Sequence, residues 1–350
     1  MTDGEAPASA TSSRSRAMSR ERRLEAPHRR EGGGSPRVVE RLAVLAYRAT
    51  AGTLTIIPAD TASAIVGRLA QMSYLVWPTK RRWSNRNFGY VMGLPPSHPR
   101  VRRMALRAYL EYGRYLVELM RLPSRSPEQM AAMVPVLDTD GLERIAGASR
   151  GGLIYTVGHV GSNDAVMAAI ARYGMPISVL ADDSSFPELF DRLKREREAW
   201  GARVIAWRNL REIYRVLRRR EMLALLIDWG YRPDGIPVRL FGAWTALPAG
   251  PATLAAKTGS LILPVTVRRQ PDDTFKVSWT TPIEVTSSEP AELQRATQAI
   301  ADALEITIGS APQQWYSFKP IWPATAEEAA DLERRAMAMQ AGHPDPGPGA

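Results

Sequence analysis

His159 is the residue whose setting best suits chemistry. It stands in Val157-Gly158-His159-Val160-Gly161-Ser162-Asn163-Asp164, where an apolar run stops and an apolar helical pattern begins after Asn163. His159 and Asp164 are five positions apart, an offset that would put them on different faces of one continuous helix. Across a strand–turn–helix junction the turn can fold the carboxylate back onto the imidazole, and Gly158 and Gly161 permit the tight path. The expected arrangement is a dyad: the carboxylate accepts from one ring nitrogen and fixes the tautomer, and the other nitrogen serves as a general base near neutral pH. Ser162, Asn163 and Asp164 are also what a helix start requires, a cap followed by a carboxylate on the positive end of the macrodipole.

Two further stretches could reach the same place. Asp228 closes a strand-like run and could enter a crevice at the ends of sheet strands; a turn or helix cap is the alternative. In Leu247-Pro248-Ala249-Gly250-Pro251-Ala252, Pro251 pre-sets a helix start and Gly250 lets backbone approach a ligand. Pro248, Gly250 and Pro251 are therefore read as a wall of a binding site or as a well-built turn.

The elements needed to hold these residues are legible as patterns. Ile65, Val66, Leu69, Met72 and Val76 recur at helical spacing, as do Val38, Leu42, Leu45, Ala46 and Ala49, and the residues from Met104 to Met120. Pro58, Pro78, Pro95, Pro96, Pro123 and Pro127 punctuate these runs. Beyond Gly141 short apolar runs alternate with amphipathic ones. Strands are expected at Leu153–Val157, Ile177–Leu180, Arg203–Ile205, Leu223–Ile227 and Leu261–Val267, with helices at Asp164–Tyr173, Pro187–Trp200, Leu210–Arg219 and Pro251–Thr258. That alternation predicts an α/β fold with a mostly parallel central sheet flanked by helices. Phe275–Trp279 and Ile283–Val285 add antiparallel strands near the C-terminus, with a hairpin at Pro271-Asp272-Asp273, and Ala291–Ile308 is a further helix. Four regions follow: a disordered basic tail at 1–37, a helical, membrane-associating region at 38–134, the α/β core at 135–323, and a closing helix with a flexible end at 324–350.

Composition narrows the chemistry. The chain has no cysteine, which excludes disulfides, thiolate metal sites and a cysteine nucleophile. Four histidines in 350 residues leave little for a metal cage, and no metal is expected. The net charge of +10 favours an anionic partner: nucleic acid, lipid headgroups or an acidic carrier. Basic residues cluster at 80–86, 100–107 and 208–220, but no RNA- or DNA-binding motif accompanies them, so nucleic acid is not expected. The most apolar stretch, Val38 to Ile57, is interrupted by Glu40, Arg41 and Arg48, and no segment reads as a membrane span. Between Ser13 and Arg37 eight Arg stand against three Glu, which suits an anionic surface or a plain solvated tail.

The His-x-x-x-x-Asp step after an apolar strand resembles the glycerolipid acyltransferase signature. Its surroundings are similar to the lipid A lauroyl/myristoyl and phosphatidylinositol mannoside acyltransferase branch. Gly151 to Asp164 carries that resemblance, together with Leu226-Ile227-Asp228, Phe241-Gly242, Leu247 to Ala252, and Ala311-Pro312-Gln313-Gln314-Trp315. The resemblance implies a peripheral or monotopic enzyme on the cytoplasmic face of the bacterial plasma membrane. It would move a fatty acyl chain from acyl-CoA or acyl carrier protein, a donor substrate rather than a cofactor, to a hydroxyl of a membrane lipid or glycolipid. His159 would deprotonate that hydroxyl with Asp164 in support, and Arg197, in an Arg-Glu step before a strand, would bind an anion. Where the family has Asp-Arg or Asp-Gln this chain has Asp228-Trp229, a departure that Arg232 could make good from the following turn. A catalytically inactive basic scaffold on the membrane is the alternative.

Overall fold

The computed structural model describes residues 49–175, 177–181 and 187–349, with Leu45 and Tyr47. The tail at 1–37 lies outside the described residues, as do Val38, Leu42 and Ala46 of the first helical run. Three helices follow: α1 (Ala59–Val76), α2 (Pro78–Met92) and α3 (Pro99–Arg121). Pro78 and Pro99 sit in the first helical turn, where a missing N–H costs nothing. Periodicity finds α1 and α3 but not α2, because α2 buries Ser84, Asn87 and Gly89 beside Phe88 in place of an apolar stripe. Helices α1 and α3 cross where Gly67 meets Gly113: a Cβ on Gly113 would lie 2.5 Å from the Gly67 Cα. Only paired glycines let the two backbones approach so closely. The short α4 (Pro127–Ala132), opened by a capping box of Ser126 and Gln129, and α5 (Thr139–Ala148) lead into the sheet.

The core alternates strand and helix as expected: β1 (Leu153–Val157), α6 (Asn163–Arg172), β2 (Ile177–Ala181), α7 (Pro187–Ala199), β3 (Arg203–Ala206), α8 (Leu210–Arg218) and β4 (Met222–Leu226). A two-stranded hairpin, β5 (Ile236–Leu240) with β6 (Ala243–Leu247), stands apart from the main sheet. It is followed by α9 (Gly250–Thr258), β7 (Leu261–Arg269), β8 (Phe275–Trp279), α10 (Pro290–Ser310) and α11 (Ala326–Gln340). The six-stranded sheet has the order β3-β2-β4-β1-β7-β8, parallel throughout except for the β7–β8 hairpin. Every residue of β1 is buried, as a central strand covered on both faces requires. Ile154, Leu223, Leu225 and Ile262 pack with α8, α9 and α10 on one face, and Tyr155, Val157, Val179 and Val265 pack with α6 on the other.

Two details differ from expectation. The β5–β6 hairpin was not foreseen, since Pro237 weakens its strand signal and its reversal at Phe241-Gly242 depends on two positive φ angles, 49° and 74°. Ile283–Val285, expected as a strand, contributes one bridge from Ile283 to Ile262. Its extended run is too short to add a ladder.

The segment after α10 matters most for the site. Asn87 of α2 donates to the carbonyls of Ser317 and Lys319 at 3.1 and 2.7 Å, and Arg86 donates to the Pro323 carbonyl. Trp315 meets Phe88 and Trp322 edge-on, and Tyr109 and Tyr112 of α3 pack on Phe318. The polar face of α2 therefore exists to hold the chain that passes over the sheet.

Candidate active site

Strand register brings the site together. Val157 pairs with Leu226 across the neighbouring parallel strands β1 and β4. Two residues beyond those ends the chain places His159 against Asp228. Asp228 Oδ1 lies 2.6 Å from His159 Nδ1, and the His159 backbone N–H donates to both carboxylate oxygens at 3.0 Å. Trp315 Nε1 donates to Oδ2 at 2.7 Å, and the Ser317 hydroxyl donates to the Asp228 backbone carbonyl at 3.1 Å. Burial would raise the Asp228 carboxyl, but the His159 charge and these donors outweigh it and hold the group below the ordinary aspartate range. Glycine at 158 makes the approach possible: a Cβ there would come within 3.3 Å of Asp228 Oδ2 and 2.8 Å of Leu304. Gly161 turns the chain with φ +68°, packed 2.7 Å from the Val267 carbonyl as judged from an added Cβ.

An ionised carboxylate only accepts, so Nδ1 carries the proton and Nε2 holds the free lone pair. Nε2 has no hydrogen-bond partner among the described residues. The side chain is 22% exposed and lines an open cleft. Trp229, the residue that departs from the family pattern, places its ring 5.2 Å from the imidazole and carries Lys319 Nζ 4.1 Å over its own ring.

Asp164 has other partners. Arg197 Nε donates to Asp164 Oδ1 at 2.7 Å and the Tyr115 hydroxyl donates to Oδ2 at 3.2 Å. The Asp164 charge, supported by the hydrogen bond, raises Arg197 further, and burial followed by the same charge pushes the Tyr115 phenol well above its usual range. The carboxylate expected on His159 thus fastens α6 to α7 and α3, and Arg197, expected to bind an anion, is already paired. Five residues of sequence separation do not bring Asp164 onto the His159 ring, whose Nδ1 is taken by Asp228.

The cleft measures about 530 Å³. Its floor is one face of the sheet, with Tyr155 and Val157 from β1, Ala224 and Leu226 from β4, Val179 and Ala181 from β2, and Val265 and Val267 from β7. Its walls are Val166, Met167 and Ile170 of α6 and Leu116 and Leu119 of α3. His159, Asn163, Lys319, Lys80 and the Asp164–Arg197 pair add polar groups to this largely apolar lining. An apolar slot that ends on a base is suited to a long hydrocarbon chain with its reacting carbon at the mouth.

The remaining candidates lie elsewhere. Arg232 is exposed and paired with Asp234 at 2.9 Å. Pro248, Gly250 and Pro251 do not line the cleft: the last two open α9, and Pro251 is buried at that helix start. The turn reading describes them, because α9 packs on the opposite face of the sheet. Trp315 is marked by the resemblance alone, without a role, and nothing in the sequence singles out Tyr115. Asp228, expected to bind substrate in the crevice or to cap a turn, is instead buried against His159, a pairing readable only once β1 is set beside β4.

The profile of the family described as bacterial lipid A biosynthesis acyltransferase matches residues 35–323. A phosphatidylinositol mannoside acyltransferase of Mycolicibacterium smegmatis is 30% identical over 260 residues, covering 72% of this chain and 81% of that protein. A protein of the same description from Mycobacterium tuberculosis is 28% identical over 260 residues, covering 71% of this chain and 79% of its own. With its parallel sheet, its histidine at the end of the central strand and a match over most of its length, the chain belongs to the bacterial lipid A biosynthesis acyltransferase family.

Proposed function

We propose that the protein transfers a fatty acyl chain from an acyl thioester to a hydroxyl of a membrane lipid or glycolipid, with His159 as general base. The observation that carries this is the free Nε2 of a histidine lining a largely apolar cleft, its ring fixed through Nδ1 by Asp228. An alcohol is a poor nucleophile unless its proton leaves as it attacks. Nε2 takes that proton, the oxygen bonds to the thioester carbon, and the carbonyl electrons move onto oxygen. The tetrahedral intermediate then collapses, the carbon–sulfur bond breaks, and the imidazolium returns the proton to the departing thiolate. Asp228 stabilises the imidazolium in the manner of the carboxylate of a catalytic triad. The start of α6 has no side-chain cap, so its first N–H groups are available to the developing oxyanion. Donor and acceptor bind without a covalent acyl-enzyme, and no cofactor takes part. The reading takes the enzyme to the cytoplasmic face of the plasma membrane, where a water-soluble thioester can meet a bilayer lipid.

The test is transfer of labelled acyl chains, presented on coenzyme A and on acyl carrier protein, to membrane lipid extract. The expected result is transfer by the wild type and a loss of about 10²- to 10⁴-fold in His159→Ala. Unchanged transfer in a folded His159→Ala protein overturns the mechanism, and no transfer from either donor favours the inactive scaffold.

A further inference from the structure

A second cavity, of about 400 Å³, lies between the start of α1, one side of α3 and the β7–β8 hairpin. It shares no lining residue with the cleft that holds His159, to which α3 contributes Tyr112, Tyr115, Leu116 and Leu119. To this cavity α3 presents Glu111, Arg114, Glu118 and Arg121, so the wall is charged. Five arginines line it in all, with Arg68, Arg125 and Arg269 completing the set. Three of its carboxylates are already paired: Glu111 with Arg114 at 3.2 Å, Asp273 with Arg114 at 2.6 Å, and Glu118 with Arg269 at 2.7 Å. Arg121 is held by the carbonyls of Leu54 and Ile57, and Arg68 by Gln71 at 3.0 Å. The Arg125 guanidinium has no hydrogen-bond partner among the described residues, and Asp60 has no ion-pair partner among them.

Two buried polar atoms of the same wall lack hydrogen bonds. Arg269 Nε is a donor without an acceptor, and Glu118 Oε1 is an acceptor without a donor. Their side chains are only 6% and 8% exposed, where an unmet polar atom is costly. The start of α1 opens on the cavity through Ala59, Asp60 and Ser63, and no side chain caps its first-turn N–H groups. Uncapped N–H groups at the positive end of a helix, set beside guanidinium donors, suit an oxyanion. A bare oxyanion would still leave Glu118 Oε1 and Asp60 without a donor. Sulfate carries no proton near neutral pH, whereas inorganic phosphate keeps one, and the ester of a polyol brings hydroxyls. The apolar part of the lining is Ala59, Ala64, Leu110 and Val117, which gives no room to an acyl chain.

We propose that this cavity binds a small, water-soluble phosphate compound that carries a hydroxyl. The phosphate oxygens accept from the arginines and from the first turn of α1, and the hydroxyl donates to Glu118 Oε1 or Asp60. The site is separate from the cleft and does not depend on the chemistry assigned to His159.

Calorimetric titration of the full chain with inorganic phosphate, glycerol 3-phosphate and sulfate, at constant ionic strength, is the test. Both phosphate compounds should bind, about tenfold or more tighter than sulfate. Arg125→Ala should weaken that binding about tenfold or more. Ser63→Asp should abolish it, by placing a carboxylate near the start of α1, where the helix itself tolerates one. Arg211→Ala, which removes an exposed arginine of α8, should bind like wild type. Circular dichroism and the melting temperature show that each variant is folded. A wild type that binds neither phosphate compound, or binds sulfate as tightly, overturns the proposal. So do folded Arg125→Ala and Ser63→Asp proteins that bind like wild type. An Arg211→Ala protein weakened as much as Arg125→Ala also overturns it, since the attraction would then come from net charge alone. Dihexanoyl phosphatidate, titrated below its micellar concentration, is the last arm: its binding in preference to glycerol 3-phosphate would overturn the assignment to a water-soluble ligand.

Discussion

Asp228 is held by three N–H donors and touches the imidazole on the side away from the cleft. Asp228→Asn keeps the shape but offers the wrong hydrogen-bonding pattern to Nδ1, and kcat should fall about 10³- to 10⁴-fold, by analogy with the same exchange in serine protease triads. Asp164→Asn should behave differently. It unpairs a buried Arg197, so its main effect should be a loss of about 3–5 kcal/mol in stability, seen as a lower denaturant midpoint. Comparing kcat at a temperature where both variants remain folded separates the two carboxylates. Trp315→Phe removes one charge-assisted donor to Asp228, worth about 1.5–3 kcal/mol, and should slow the reaction about tenfold or more. Ala224 is a small residue of the slot floor, flanked in register by Tyr155 and Val179. Ala224→Phe should lose long-chain donors while still turning over short ones, as a donor series would reveal. The two carboxylates also mark what sequence can and cannot convey. Asp164 was favoured because it is near His159 in the chain, whereas Asp228 is 69 positions away and becomes its neighbour only through a strand pairing that no local pattern specifies.

At the scale of elements, buried contacts explain what was legible. The strands and helices from β1 to β4 alternate in apolar content with the period of their structure, so they could be placed within a residue or two. Helix α2 could not, because its buried face is a set of hydrogen bonds from Asn87 and Ser84 to distant groups. The α1–α3 crossing was invisible for a related reason: glycines at 67 and 113 carry no hydrophobic signal, although they set the distance between helices. Gly113→Ala would push its methyl into the backbone of α1 and should cost about 1–3 kcal/mol, measured as a drop in melting temperature. Glu118 of α3 pairs with Arg269 of β7 at 2.7 Å, both almost fully buried. Glu118→Leu would leave the guanidinium only the more distant Asp273, at 3.5 Å, and should cost about 3 kcal/mol.

Over the whole molecule, charge and protonation set the working conditions. Asp228 has its carboxyl lowered on folding, so its contribution to stability is present above the unfolded value of about 3.9 and is lost as pH falls through the folded value. The stability difference between wild type and Asp228→Asn should therefore shrink as pH falls below about 4, as denaturation at a series of pH values would show. The broad architecture, helices first and then a parallel α/β core, was legible because it follows from periodicity and the placing of prolines. The exposure of Ile65, Leu69, Met72 and Val76 on α1 was not legible, since an apolar stripe at helical spacing does not say whether it is covered.

The meeting of His159 and Asp228 depends on counting. Each lies two residues past the end of its strand, and Val157 and Leu226 are level. Loops elsewhere can lengthen without moving these atoms, but one extra residue between Leu226 and Asp228, or between Val157 and His159, would turn a side chain to the other side of the sheet. Tolerance to insertion should accordingly drop to nothing at those two dipeptides, Gly158-His159 and Ile227-Asp228, while the nearby exposed turn at Asp234 accepts added length.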